Sequence, residues 1–149
     1  MADLNLNIET GEKTFTINED PNKLIKFNLT DMNIITRFNE ASKVISKSLD
    51  DLKGDISLNP DGTPEDETEE ISKIIKKIDK IMREQIDYIF GYPVSDVVFG
   101  GTNPLASVGG ISYCERFINA ALPFIEKEIQ KESKASEKRV SKYTAKYHK

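Results

Sequence analysis

Cysteine and histidine, the residue types with nucleophilic or zinc-binding chemistry, occur once each in this chain, as Cys114 and His148. Cys114 falls in the first turn of a predicted helix, where a thiol pKa can be lowered. A Cys–His nucleophile pair requires the two side chains to meet, and His148 lies far along the chain in a stretch with few apolar residues. One cysteine and one histidine also supply too few ligands for a zinc site. We therefore expect Cys114 to be a small packing residue.

Acidic residues offer a second chemistry, either acid–base catalysis or calcium binding. The adjacent carboxylates at 50–51 point to different sides of a helix and do not converge on one bond. A calcium loop counted from Asn59 has oxygen ligands at alternate positions and Glu70 at the twelfth, but Pro64 stands where glycine is needed. The same stretch fits a helix start with Thr63 as N-cap and Pro64 in the first turn. We expect no metal, no cofactor and no enzymatic activity.

A glycine-rich segment, residues 99–110, is the most unusual stretch of the chain. Two glycine pairs, Gly100–Gly101 and Gly109–Gly110, flank Asn103 and Pro104. Glycine pairs allow left-handed backbone or close approach of another chain, and a residue before proline is disfavoured in helical conformation. The segment matches neither phosphate-binding glycine pattern. It therefore predicts a shaped loop that acts by contact and not by catalysis.

Alternating apolar residues predict a small amount of β-structure before the first helix. Residues 4–9 and 14–18 alternate with period two and are separated by a short segment that contains Gly11. This pattern predicts a β-hairpin. A third alternating run at 24–29 predicts another short strand. A hairpin alone is marginal in water, so it must pack on helices or on a neighbouring chain.

Helical periodicity dominates the rest and predicts a mainly α fold, a small bundle of three long helices with the hairpin at the N-terminal side. Thr30 is the expected N-cap of the first helix, and Ser112 with Glu115 forms a capping-box pattern at the last. Pro123 is expected to kink the last helix. The segment 95–99 predicts one helical turn. The predicted helices are 30–53, 64–90 and 112–130, within a single globular domain 1–130 that includes a hairpin region 1–29.

The charge is distributed unevenly along the chain. The formal net charge is −4. Residues 131–149 contain seven Lys/Arg and two Glu, a balance of +5, so the other 130 residues carry −9. We interpret 131–149 as a basic tail, helical or flexible. Basic residues interleaved with tyrosines suit single-stranded nucleic acid; the acidic body favours instead a tail that docks on an acidic protein, for example the acidic helix start at 65–70 of a neighbouring copy.

Composition also indicates a compartment. No apolar run approaches the roughly 18–20 residues that span a bilayer, and the first residues do not resemble a secretory signal. A single cysteine excludes an internal disulfide framework. We expect a cytoplasmic protein with no membrane contact.

Three motifs together resemble a family of small proteins encoded in the tail-gene region of phages and prophages of Gram-positive bacteria, which resemble tail assembly chaperones. The motifs are Phe-Gly-Gly-Thr-Asn-Pro at 99–104, Phe-Ile-Asn-Ala-Ala-Leu-Pro-Phe-Ile at 117–125 and Lys-Arg-Val-Ser-Lys-Tyr-Thr-Ala-Lys-Tyr at 138–147. The resemblance covers the chain from about residue 27 onward. It implies a protein of the bacterial host cytoplasm that binds copies of itself, coats the phage tape measure protein, gives way to tail tube subunits and is absent from the finished particle.

Two other functions stay open: a structural virion component of tail or capsid, and a small phage regulator that binds a host protein or nucleic acid. In all three cases the glycine segment and the basic tail are the candidate partner-binding regions. The candidate residues are Phe99, Gly100, Gly101, Asn103, Pro104, Arg139, Lys142, Tyr143, Lys146 and Tyr147.

Overall fold

The computed structural model describes residues 4–54 and 67–147, with side chains for 4–52 and 68–142. Its fold is mainly α with a small antiparallel hairpin near the N-terminal side, as predicted. The elements in chain order are β1 (Glu12–Ile17), β2 (Asp20–Asn28), α1 (Asn33–Gly54), α2 (Glu67–Phe90), α3 (Ser95–Phe99), β3 (Ser107–Val108), β4 (Ile111–Ser112) and α4 (Tyr113–Tyr147). The single turn predicted at 95–99 is α3.

The hairpin forms between different strands from those predicted. β1 pairs with β2, which contains residues 24–28 of the third alternating run, whereas residues 4–9 form no strand. The turn between β1 and β2 is made by Asn18 and Glu19, both with left-handed φ values of 52° and 61°. Two-residue hairpin turns need this conformation, and asparagine adopts it readily. The predicted pairing of 4–9 with 14–18 was therefore wrong.

Aromatic side chains join the hairpin to the helices. The ring of Phe27 stacks on Phe15 with centroids 4.8 Å apart and meets Phe90 of α2 edge-on at 4.9 Å. Phe90 in turn lies 5.0 Å from Phe117 of α4. Such aromatic pairs stabilise a core beyond the area that they bury. The hairpin thus packs on α2 and α4 through one connected aromatic cluster.

The first helix begins at Asn33 and not at Thr30. The carboxylate of Asp31 accepts a hydrogen bond from the Asn33 amide at 3.0 Å, so Asp31 and not Thr30 caps the helix. The Thr30 hydroxyl donates to Asn28 instead. Arg37 pairs with Asp31 at 2.9 Å and donates to the carbonyl oxygen of Ile89 at 3.0 Å, which ties α1 to the end of α2.

The last helix is much longer than the predicted 112–130. α4 runs without a break through Pro123 to Tyr147, so the basic tail is helical from 131 to 147. The predicted cap is present, since the Glu115 amide donates to the Ser112 hydroxyl at 3.2 Å. Every side chain from 130 to 142 is exposed. Residues 59–66 of the tested calcium loop, which include the Thr63 cap and the predicted helix start at 64, lie outside the described residues.

Candidate protein-interaction site

The glycine segment is a folded loop held by its own backbone. Asn103 shapes its centre, because its side-chain oxygen accepts from the Leu105 amide and its carbonyl from the Ala106 amide, each at 2.9 Å. The loop then joins α4: the carbonyl of Pro104 accepts from Cys114 at 2.8 Å and that of Ala106 from Tyr113 at 2.7 Å. The predicted shaped loop is therefore confirmed.

The two glycine pairs have different roles. Gly100 ends α3 with φ 55°, and its amide donates to the Asp96 carbonyl. Gly109 and Gly110, with φ values of 60° and 81°, form the turn between β3 and β4. Gly101 has no left-handed φ, and a Cβ added there would meet no atom within 4 Å. The conformation of the loop thus requires Gly100, Gly109 and Gly110. Gly101 is not required for it, and its backbone is exposed without a side chain.

The side chain of Arg83 on α2 holds the glycine loop in place through hydrogen bonds. Its Nη2 donates to the carbonyl oxygens of Gly100 at 2.7 Å and Thr102 at 3.0 Å. Its Nε and Nη1 donate to the carboxylates of Asp79 at 3.1 Å and Asp96 at 2.9 Å. A planar guanidinium suits such a divided set of acceptors. The Arg83 side chain is only 16% exposed, so it is not one of the solvated charges of α2.

Asp87, one helical turn beyond Arg83, holds the start of α3. Its carboxylate accepts from the amides of Val94 at 2.9 Å and Ser95 at 2.8 Å, and from the Ser95 hydroxyl at 3.0 Å. Helix starts normally obtain such a cap from a residue adjacent in sequence. Sequence reasoning missed both Arg83 and Asp87 because their partners in α3 and the loop lie 7 to 19 residues further on.

The candidate residues of the glycine segment divide into buried and exposed groups. Phe99 is 2% exposed and meets Tyr113 edge-on, and Pro104 is fully buried. These two side chains shape the loop from inside and are not free for a partner. Gly100 and Gly101 are exposed and Asn103 is half-buried. Three apolar side chains that sequence reasoning did not select are exposed on the same loop and its small hairpin: Leu105, Val108 and Ile111.

Cys114 is buried beneath the loop at 5% exposure. Burial raises the pKa of its thiol to about 11, with a smaller contribution from Glu115. The possibility of a lowered pKa at this helix start is thus contradicted, because desolvation of the thiolate outweighs the helix dipole. The expectation of a packing residue is confirmed.

An apolar groove, which we call the α1/α4 groove, is a surface that the sequence did not locate. It has a volume of about 130 Å³ and no polar lining. Ile35 and Phe38 of α1 and Leu122 of α4 line it while being 55%, 41% and 40% exposed. Its floor is formed by Ile34, Ile89, Phe90, Ile118, Ala121 and Ile125. Exposed apolar side chains grouped in this way mark interaction surfaces.

The basic tail projects from the body as the second half of α4. Arg139 and Lys142 are exposed, as is Val140 at 63%. The side chains of Tyr143, Lys146 and Tyr147 lie outside the described set, although their backbone continues the helix. The glycine loop joins the first turn of α4 and the tail is its far end, so the two candidate regions are separated by much of a 35-residue helix.

The described residues contain neither a cluster of metal-binding side chains nor a membrane-spanning helix. Within 4–54 and 67–147, no three His, Cys, Asp or Glu side chains come together to hold a metal ion. None of the helices described is both long and apolar enough to cross a membrane. The expectations of no metal and no enzymatic activity stay predictions.

Comparison with known proteins gives a family and no activity. No curated protein and no solved structure matches the chain. The resemblance to tail assembly chaperones therefore remains a prediction from the motifs. One family model matches, over residues 21–149, and it is described as a family of unknown function. The chain belongs to this family, DUF6673.

Proposed function

We propose that this protein is a phage tail assembly chaperone that associates with copies of itself and binds the tape measure protein in the host cytoplasm. The α1/α4 groove is the single observation that supports this proposal most. A tape measure protein is long and hydrophobic, and a chaperone for it needs an apolar surface that receives helices. A protein with this task needs no catalytic group.

The groove lies between two helices, and one apolar face of each lines it. Ile34 and Phe38 on α1, and Ile118, Leu122 and Ile125 on α4, recur at intervals of three and four residues. Grooves of this kind receive an amphipathic helix through anchors at i, i+3, i+4 and i+7. The groove lining is wholly apolar, so its affinity should come from buried apolar area and depend little on salt.

The experiment is an affinity purification of the tagged protein from phage-producing cells, with nuclease treatment and mass spectrometry of the eluate. Three forms are compared: the natural chain, Phe38→Glu in the groove, and Val44→Glu as a matched control. Val44 lies on the same helix and is 45% exposed, close to the 41% of Phe38, but it does not line the groove. Purified virions are analysed in parallel.

We expect the natural chain and Val44→Glu to recover the tape measure protein, Phe38→Glu to lose it, and virions to lack this chain. Presence of the chain in virions would instead favour a structural component. Recovery of a host protein in place of the tape measure protein would favour a regulator. Equal recovery by Phe38→Glu and Val44→Glu would reject the groove as the binding surface.

The basic tail would supply an electrostatic contact between copies of the protein. Its exposed lysines and arginines oppose a body of −9, so docking on a neighbouring copy would weaken with added salt. Sedimentation at increasing salt, with and without residues 131–149, tests this contact. Self-association that responds to neither change would reject tail docking and leave the groove unaffected.

A further inference from the structure

Residues 4–10, which we call the arm, include an alternating apolar segment, and all their side chains are exposed. Leu4, Leu6 and Ile8 are 95%, 85% and 74% exposed. They recur at period two, as in a strand with one buried face. Single exposed apolar residues are ordinary, but three in register on one extended segment indicate a surface that another element covers.

The chain holds the arm away from its own body. Gly11 has a φ of 82°, and a Cβ added there would lie 2.5 Å from the Thr30 hydroxyl oxygen. The carbonyl of Thr10 accepts from the Asn28 side-chain amide at 2.5 Å, and the Thr30 hydroxyl oxygen lies 3.5 Å from it. This close packing sets the direction in which the arm leaves the hairpin. The arm is therefore presented outward and does not lie along its own β1.

A second groove, which we call the β1/α4 groove, has the form of a site for an extended peptide. Its volume is about 390 Å³, within the range of about 300–1,000 Å³ typical of binding pockets. The consecutive residues 15–18 line it on one side. Alternate residues of a strand face opposite sides of the sheet. Since the adjacent residues Phe15 and Thr16 both line the groove, the groove runs along the edge of β1 and not over one face of it. The wall from α4 includes Arg116, Ala120 and Phe124.

The edge of β1 is unpaired within the described residues, because β1 belongs to a two-stranded sheet and pairs only with β2. Such an edge accepts an added strand through backbone hydrogen bonds, with alternate side chains entering the groove. The wall from 116 to 124 on α4 is about 12 Å long at 1.5 Å per residue. About four extended residues cover this length, so two apolar side chains of the arm enter it together.

Charge also matches the arm to this groove. Arg116 lines the groove, and its Nε is buried without a hydrogen-bond partner among the described residues. Its Nη2 already donates to the Ala106 carbonyl at 3.2 Å. The arm carries Glu9 and contains no lysine or arginine. An incoming acidic or carbonyl oxygen would satisfy the unused donor, which a basic peptide would not.

We propose that the arm of one copy binds as an added strand in the β1/α4 groove of a second copy. This inference rests on the proposed function only for the premise that the protein self-associates. Failure of arm exchange would leave the α1/α4 groove and its tape-measure experiment untouched.

The test uses one variant that lacks a functional arm and one that lacks a functional groove. The arm variant is Leu6→Asn with Ile8→Asn, and its control is Asn5→Ser with Asn7→Ser on the opposite face of the same segment. The groove variant is Ala120→Arg, at an exposed position that lines the groove. Its control is Ala135→Arg on the exposed tail of the same helix. Sedimentation equilibrium measures the dissociation constant of each form alone and of the two variants mixed.

We expect both variants to self-associate at least about tenfold more weakly than the natural chain, because two apolar side chains lose their burial. Both controls should associate normally. A mixture of the arm variant and the groove variant should form a one-to-one complex, since one intact arm and one intact groove remain. Normal association of the arm variant, a monomeric natural chain, or a mixture that stays monomeric would each overturn the proposal.

A peptide measurement keeps the test valid if Ala120→Arg does not fold. A fluorescent peptide of residues 4–10 is added to the full-length arm variant, whose groove is intact, and the anisotropy of the peptide is followed. We expect saturable binding that is lost when Leu6 and Ile8 of the peptide are replaced by asparagine. Absence of binding, or equal binding of both peptides, would overturn the proposal.

Discussion

Arg83→Ala should loosen the glycine loop and destabilise the fold. The guanidinium donates two hydrogen bonds to loop carbonyls and pairs with Asp79 and Asp96. We assign about 1 kcal/mol to each carbonyl bond, below the usual 1.5–3 for charged donors because the loop is exposed. The Asp79 pair adds about 0.5 kcal/mol. The Asp96 carboxylate is 90% exposed and adds little.

Contact between Arg83 and an aromatic ring also contributes to stability. The guanidinium carbon of Arg83 lies 5.8 Å from the centre of the Phe99 ring, which adds about 0.5 kcal/mol. The free energy of unfolding should therefore fall by about 3 kcal/mol in Arg83→Ala. Arg83→Lys keeps the charge but cannot reach acceptors on three sides, so it should lose more than half as much.

Urea unfolding followed by circular dichroism measures the change. The matched control is Lys80→Ala, which removes a 3.9 Å pair with Glu84 whose side chains are 78% and 60% exposed, and it should change the free energy by no more than about 0.5 kcal/mol. Hydrogen exchange at the amides of Thr102, Leu105 and Ala106 reports the loop itself. If Arg83→Ala matched Lys80→Ala in stability and kept the same loop protection, the assigned role of Arg83 would be wrong.

Three further predictions concern single residues. Arg37 lowers the pKa of Asp31 below its ordinary value of 3.8, chiefly by its hydrogen bond, so the stabilisation is complete above pH 3.8 and is lost as the pH falls through the lowered pKa. Asp31→Asn keeps a capping side chain and should lower the free energy of unfolding by about 0.5–1 kcal/mol at neutral pH. Urea denaturation at decreasing pH should show the difference in stability between this variant and the natural chain becoming smaller. A difference that stays constant with pH would contradict the ion pair. Burial raises the pKa of Cys114 to about 11, so the native thiol should resist iodoacetamide at neutral pH and react on unfolding; rapid native alkylation, monitored by mass, would show that it is accessible. Gly110→Ala should cost about 1–2 kcal/mol because its φ is 81°, whereas Gly101→Ala, at an ordinary φ, should be nearly neutral in the same thermal melt, and equal costs would contradict the loop geometry.

Periodicity predicted the helices but could not choose the strand partners. Three runs alternate with period two, at 4–9, 14–18 and 24–29, and period two says which side chains share a face but not which runs pair. The turn at Asn18 and Glu19 decided the pairing. Among those two residues only the asparagine signals a left-handed turn, so the sequence contained a weak indication of the correct hairpin.

Only part of the candidate site could be predicted, because a sequence pattern does not show which residues contact one another across the fold. The shaped glycine loop followed from local residues, since proline and glycine restrict or free the backbone wherever they occur. Arg83 and Asp87 act across the fold, and on a helix rich in charge they cannot be told from solvated residues by pattern alone. The α1/α4 groove was equally hidden, because an apolar stripe on a helix does not reveal which part of it a neighbour covers.

The exposed apolar side chains are about as numerous as the buried ones in the described part of the chain, and their distribution argues for more than one contact. Residues 116, 117, 120 and 124 of α4 face the β1/α4 groove, whereas 118, 122 and 125 face the α1/α4 groove, and only Ala121 lines both. At 3.6 residues per turn these two faces are about 150° apart around the helix, roughly two-fifths of a turn. A strand in one groove therefore leaves the other open to a helix. Self-association and partner binding would then proceed together on one helix, which a protein that coats a long partner in many copies requires.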